Sequence, residues 1–160
     1  MSDIEWHFIG QLQTNKLKMV LPYVSLVQSV DSVRLLEAVD RWGAANGKII
    51  NVLLECHVAA EESKQGFSEQ ELTELLASDV RYANVRICGI MGMATFTDDE
   101  SIIRSDFASI RNIYESARSQ CHEDSFSELS IGMSDDYPIA IEYGSPMVRL
   151  GSMIFGIRQC

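Results

Sequence analysis

The residues best suited to chemistry lie near the end of the chain, in residues 128–158, ELSIGMSDDYPIAIEYGSPMVRLGSMIFGIR. Two short apolar runs, Leu129–Met133 and Met147–Leu150, each stop at a small polar step. The first stops at Gly132-Met133-Ser134, the second at Gly151-Ser152. Glycine after a strand lets backbone N–H groups approach a ligand closely, and serine adds a hydroxyl donor. Two such loops at the ends of neighbouring parallel strands are where an α/β barrel commonly holds a phosphate. Arg149 stands inside the last apolar run. Its charge cannot be neutralised, so it must face an acceptor or be paired. A rim arginine in an ion pair, with glycines serving only as turns, would explain the same stretch.

These loops need a scaffold, and the chain supplies an alternation of strand and helix. IEWHFI (4–9) predicts a strand ending at Gly10, and Leu12 to Leu21 a helical segment stopped by Pro22. Val24–Val30 is the second strand. Asp31-Ser32 are N-cap candidates for a helix over Val33–Asn46, with Leu35, Leu36 and Val39 at core spacing and Gly47 closing it. Ile49–Val58 is a continuous apolar run of the fully buried kind. After the loop AAEESKQGF, Ser68 and Glu71 form a capping box for a helix over 69–78. Val85–Met91 is the fourth strand, followed by Gly92-Met93-Ala94. Asp98–Ser119 is a long helix with Ile102, Phe107, Ile110 and Tyr114 on its inner side. Asp135 to Tyr143 is a helix between the last two strands, with Ile139, Ala140 and Tyr143 as its apolar side. The repeat implies a parallel sheet with right-handed crossovers in one α/β domain over 1–160. Its six βα units are fewer than the eight of a closed (β/α) barrel. The expected fold is therefore an incomplete barrel of the TIM type, in preference to an open doubly wound sheet.

Ligands gather at the carboxyl ends of parallel strands. Besides the C-terminal loops, that edge would carry His7, Glu55-Cys56-His57 and Gly92-Met93. His7 is either a ligand contact or a satisfied structural residue. Met91 and Met93 are either core residues or a soft, polarisable floor under a flat ligand. His7, His57 and Glu55 lack the tight spacing of a metal site. No G-x-S-x-G elbow, G-x-G-x-x-G or Walker A is present, which disfavours serine hydrolases and nucleotide binding.

Composition narrows the partners. The 160 residues carry a net charge of -10 with a pI near 4.6, which argues against nucleic acid and anionic membranes. No apolar run approaches the roughly 20 residues a spanning helix needs, and no signal-peptide pattern precedes Ile4. Cys56, Cys88, Cys121 and Cys160 are far apart, as buried or reduced thiols would be. The expected compartment is cytoplasmic.

HFIGQLQTNK (7–16), EESKQGF (61–67), GIMGMAT (89–95), LSIGMSDDYPIAI (129–141) and VRLGSMIFGIR (148–158) run in order over almost the whole chain. Together they resemble the pyridoxal phosphate homeostasis proteins, whose fold is related to the N-terminal barrel of alanine racemase. The resemblance implies a single-domain, non-catalytic barrel that binds pyridoxal 5′-phosphate and helps balance its free level. It assigns the phosphate to Ser134, Gly151 and Ser152, the pyridine nitrogen to Arg149, the cofactor's flank to Met133, and wall contacts to Met93 and His7. An arginine opposite the ring nitrogen does not protonate it, which suits holding the cofactor better than transamination.

The same resemblance implies a departure. In the family the Schiff-base lysine lies on the first barrel strand, well before the HFIG motif, whereas here Met1-Ser2-Asp3 directly precede IEWHFIG. Two strands and that lysine are thus expected to be missing from this chain. Lys16, Lys18, Lys48 and Lys64 fall in helices or loops and do not match its position. Opening a barrel exposes two strand edges, so self-association or pairing with an N-terminal fragment is expected. Two other readings are a barrel remnant acting as an interaction module with a full-length paralogue, and a racemase-like enzyme. The enzyme would need the missing lysine, a second base and a second domain.

Overall fold

The computed structural model describes residues 3–58, 65–78, 80–121 and 125–156. Six strands form one sheet in sequence order: β1 (His7–Phe8), β2 (Leu26–Val30), β3 (Ile50–Cys56), β4 (Val85–Gly92), β5 (Glu128–Met133) and β6 (Met147–Arg149). Every neighbouring pair is parallel. The connections carry a 3-10 turn (Thr14–Lys16) with α1 (Leu17–Val20), then α2 (Val33–Asn46), α3 (Glu69–Ala77), α4 (Glu100–Gln120) and α5 (Tyr137–Glu142). α6 (Ser152–Phe155) follows β6.

Side chains alternate across a strand, so each strand feeds two different environments. The outward set packs against the helices: Val27, Val30, Val52, Leu54, Ile90, Leu129 and Ile131 are fully buried there with Leu36, Val39, Phe107 and Ile110. Truncating a side chain such as Phe107 to alanine costs about 3–5 kcal/mol. The inward set holds a small apolar cluster of Leu26, Leu53 and Met91, with Cys88 and Met147 packed against it. Beside this cluster the inward positions include polar residues.

Those polar positions reveal the curvature of the sheet. Ser130 on β5 donates to Gln28 on β2 at 2.7 Å, although β3 and β4 lie between them. In a flat sheet three strand spacings would separate the two backbones by about 14 Å. The sheet therefore curls into a partial barrel whose concave face brings β2 and β5 together. Glycines release the backbone where β4 and β5 meet. Gly89 has φ +152°, and a β-carbon there would overlap the Glu128 carbonyl.

Local chemistry sets the helix ends. The Ser32 hydroxyl accepts from Leu35 N, Gly47 at φ 62° closes α2, and Ser68 with Glu71 completes a capping box on α3. Asp99 caps α4, accepting from Ser101 N. The inner side of α4 includes Ile103, Phe107, Ile110 and Tyr114, while Ile102 is exposed. The helix starts at Glu100 rather than Asp98, and the 3.6-residue period selects Ile103. The first strand is also shorter than IEWHFI suggests. Only His7 and Phe8 pair with β2, and Ile4, Trp6 and Ile9 are exposed. Leu12 to Leu21 is divided, with a 3-10 turn before one helical turn. Lys64, most of the AAEESKQGF loop and Cys160 lie outside the described residues.

Candidate functional site

The carboxyl ends of β5 and β6 lie side by side, with Met133 in register with Arg149. Each must turn sharply into its helix. Near the end of β5, Gly132 adopts φ +90°, and a β-carbon there would overlap the Ala140 β-carbon. Only glycine lets α5 pack so close to the strand it follows. Asp136 then holds the turn, its carboxylate accepting from Met133 N at 2.5 Å. Below it, the buried Ser145 hydroxyl lies within hydrogen-bond reach of the Leu129, Ile131 and Met147 carbonyls and accepts from Ile131 N, which ties β5 to β6.

Ser134 emerges from this turn. Its hydroxyl accepts from Gly151 N at 3.2 Å and Met153 N at 3.3 Å, so the loops after β5 and β6 close on one another. Ser152 stands between those two amides as the first residue of α6. A β-carbon on Gly151 would meet nothing within 4 Å, so open space lies over the backbone at this point. Hydroxyl, amide donors and open space together match what a phosphate needs.

Arg149 points to the concave face and is half-buried. One of its terminal nitrogens donates to both the carbonyl and the hydroxyl of Ser130 at 2.8 Å, and the other donates to the Gly92 carbonyl at 3.0 Å. These bonds use three of the five N–H groups of a guanidinium, and the partners are a hydroxyl and carbonyls rather than a carboxylate. Burial pushes the Arg149 pKa down, while the charges of Asp136 and Glu55 oppose the shift. The group stays charged. Glu55 on β3 faces the same interior. Burial raises its carboxyl above the ordinary range, Asp31 adds to the rise, and Arg149 works against it.

The remaining expected residues lie around this centre. Met93 directly follows Gly92, whose carbonyl binds Arg149, and is half-exposed, as is Met133. His7 reaches Arg149 through two intermediates, Gln28 and Ser130. Ser134, Gly151, Ser152, Met133 and Arg149 are thus brought together, Met93 adjoins them, and His7 closes the far side. Gln28, Ser130 and Asp136 were not singled out from the sequence. The signal was present as a polar residue inside a fully buried run, Gln28 within LVQSV and Ser130 within ELSIGM. A separate cleft of about 890 Å³ opens at the other end of the strands, lined by Ile49, Tyr82 and Val85 among others, and contains none of these residues. Among the described residues no group of His, Cys, Asp and Glu could hold a metal ion, and no helix is long and apolar enough to cross a membrane.

A curled parallel sheet with helices outside and polar groups at the carboxyl ends of its strands is an incomplete α/β barrel of the TIM type. Within that class the chain belongs to the family described as alanine racemase, N-terminal domain, which matches residues 3–159. It is 34% identical over 157 residues to the pyridoxal phosphate homeostasis protein of Aquifex aeolicus, covering 98% of this chain and 68% of that protein. A solved structure of PipY from Synechococcus elongatus PCC7942 with PLP bound aligns with TM-score 0.85 at 29% identity, over 96% of this chain and 71% of that one. Alanine racemase from Corynebacterium glutamicum shares the fold, with TM-score 0.72 at 11% identity over 99% of this chain and 43% of that one. The chain spans about two thirds of the length of the curated relatives it matches.

Proposed function

We propose that this chain binds pyridoxal 5′-phosphate and serves in balancing the free cofactor, as a binding protein rather than a turnover enzyme. The observation that carries this reading is the closure of Ser134 on the Gly151 and Met153 amides beside the half-buried Arg149. The relatives named pyridoxal phosphate homeostasis protein and the PLP-bound PipY structure support it. In this reading Ser134, Gly151 and Ser152 hold the phosphate, and Arg149 meets the pyridine nitrogen with an N–H. Met133 and Met93 flank the ring, and His7 forms the wall at β1. Bound pyridoxal phosphate supplies an electrophilic aldehyde and an electron-accepting ring. Arg149 restrains the second property, because a guanidinium donates a hydrogen bond without delivering a proton. The cytoplasm is the compartment that suits Cys56 and Cys121 as free thiols.

The reading extends to a partner. β1 and β6 are the two edges of the described sheet. Exposed apolar side chains gather at both, Ile4, Trp6 and Ile9 beside β1 and Met153, Ile154 and Phe155 after β6. Open edges of this kind favour self-association or pairing with a segment that adds strands to them. Light scattering on the 160-residue chain is expected to show a larger species, and a cooperatively unfolding monomer would oppose this part.

The cofactor reading is tested by following pyridoxal phosphate absorbance during titration of the chain and of Ser134→Ala. A phosphate held by the Ser134 hydroxyl should bind about tenfold more weakly without it, the worth of one charge-assisted hydrogen bond. Equal affinity for both proteins would remove Ser134 from the site. No binding to either would remove the function.

A further inference from the structure

The concave face carries a chain of hydrogen bonds in which every donor and acceptor has a fixed sense. Arg149 is an obligate donor, and its N–H meets the Ser130 hydroxyl at 2.8 Å. Ser130 accepts there, so its own proton goes onward, to Gln28 Oε1 at 2.7 Å. With the amide oxygen turned to Ser130, Gln28 Nε2 faces the opposite way. It lies 3.0 Å from the Met147 sulfur and 3.0 Å from His7 Nδ1.

Turning the amide over would break this pattern at both ends. The Ser130 hydroxyl would then face donors from Arg149 and Gln28, with its own proton lacking its present acceptor. The amide oxygen would be pressed against the Met147 sulfur, a weak acceptor that has no proton to offer. Two independent anchors, a guanidinium on β6 and a thioether at the start of the same strand, therefore select one orientation of Gln28. An amide that presents N–H to His7 requires Nδ1 to be the unprotonated nitrogen.

We infer that Gln28 and Ser130 are positioning residues that carry the donor sense of Arg149 to His7 and fix its neutral imidazole as the Nε2–H tautomer. The wall at β1 is then a hydrogen-bond donor. If this face is the pyridoxal phosphate site, as proposed above, His7 suits a ligand acceptor such as a phenolate or carboxylate oxygen and disfavours a ligand N–H. The sense originates in a group that never loses its charge, so it holds wherever the imidazole is neutral. The residues span β1, β2, β5 and β6, which makes the tautomer a property of the curled sheet rather than of any single strand.

The test is a long-range proton–nitrogen correlation spectrum of the full 15N-labelled chain, without ligand, at a pH above the ordinary imidazole range. His7 is assigned by the signal lost in His7→Gln. The expected pattern is a protonated Nε2 and a bare Nδ1. Gln28→Glu offers only acceptors and should move the proton to Nδ1, or charge the ring. Ser130→Ala cuts the link to Arg149 and should leave a mixture of tautomers in an otherwise native spectrum. A wild-type ring protonated on Nδ1, or already mixed, overturns the inference. So does a native Ser130→Ala protein whose His7 pattern is unchanged. If Gln28→Glu fails to fold, the wild-type and Ser130→Ala spectra still decide. No ligand enters the measurement, so its failure leaves the cofactor reading standing, and loss of that reading leaves the relay standing.

Discussion

Gly132→Ala perturbs the turn between β5 and α5 from which Ser134 emerges. Gly132 sits at φ +90°, in the left-handed region, where a side chain costs about 1–2 kcal/mol. The new β-carbon would also overlap that of Ala140 and lie 3.1 Å from Tyr137 Cα. Ala140 is fully buried, so the strain cannot be shed into solvent, and overpacking of this kind costs about 1–3 kcal/mol. Together the two effects come to about 2–5 kcal/mol of stability. Urea unfolding followed by circular dichroism measures the loss, and a cycle with Ala140→Gly separates its parts. Ala140→Gly alone lowers helix stability by about 1 kcal/mol. In the double variant the overlap is gone and the backbone strain remains, so the pair should be more stable than additivity predicts by about 1–3 kcal/mol. A Gly132→Ala loss under about 1 kcal/mol, or additivity within about 0.5 kcal/mol, would refute the packing described for the β5–α5 turn.

Two further outcomes follow from buried ionisable groups. The folded Glu55 carboxyl has a pKa above its ordinary value of 4.5, chiefly through burial. The folded protein therefore holds the proton longer than the unfolded chain, and stability falls as pH rises from 4.5 to the folded value. Glu55→Gln lacks this titration, so its stability relative to the parent should increase as pH rises above 4.5; a constant difference would contradict the shift. Burial pushes the Cys56 thiol up to about 12, so the native protein should leave Cys56 unalkylated at mildly alkaline pH while the half-exposed Cys121 reacts. Peptide mapping by mass spectrometry reads this out, and early labelling of Cys56 would count against its burial.

Much of the architecture was legible because parallel strands buried on both faces leave continuous apolar runs, as Ile50–Cys56 does. Ser68 with Glu71 and Gly47 marked helix ends through capping chemistry that acts locally. IEWHFI misled because its apolar residues suggest a full strand, while only His7 and Phe8 find a partner at the sheet edge. Ile102 misled because it stands five residues before Phe107, which turns it outward, whereas Ile103 at four residues shares the buried face. At the site, Ser134, Arg149 and Gly151 could be named from residue type and position. The Arg149–Ser130–Gln28–His7 relay could not, because it depends on the curl that brings β2 to β5. Sequence order places those strands far apart, and only the three-dimensional register joins them.

The central claim is that the β5 and β6 loops hold the phosphate of pyridoxal phosphate while Arg149 meets its ring. Isothermal titration of the chain with pyridoxal phosphate and with pyridoxal, which lacks the phosphate, tests it most directly. Saturable binding of the first, weakened at least about tenfold for the second, is the predicted result. Equal affinity for both compounds, or no heat from either, would contradict it.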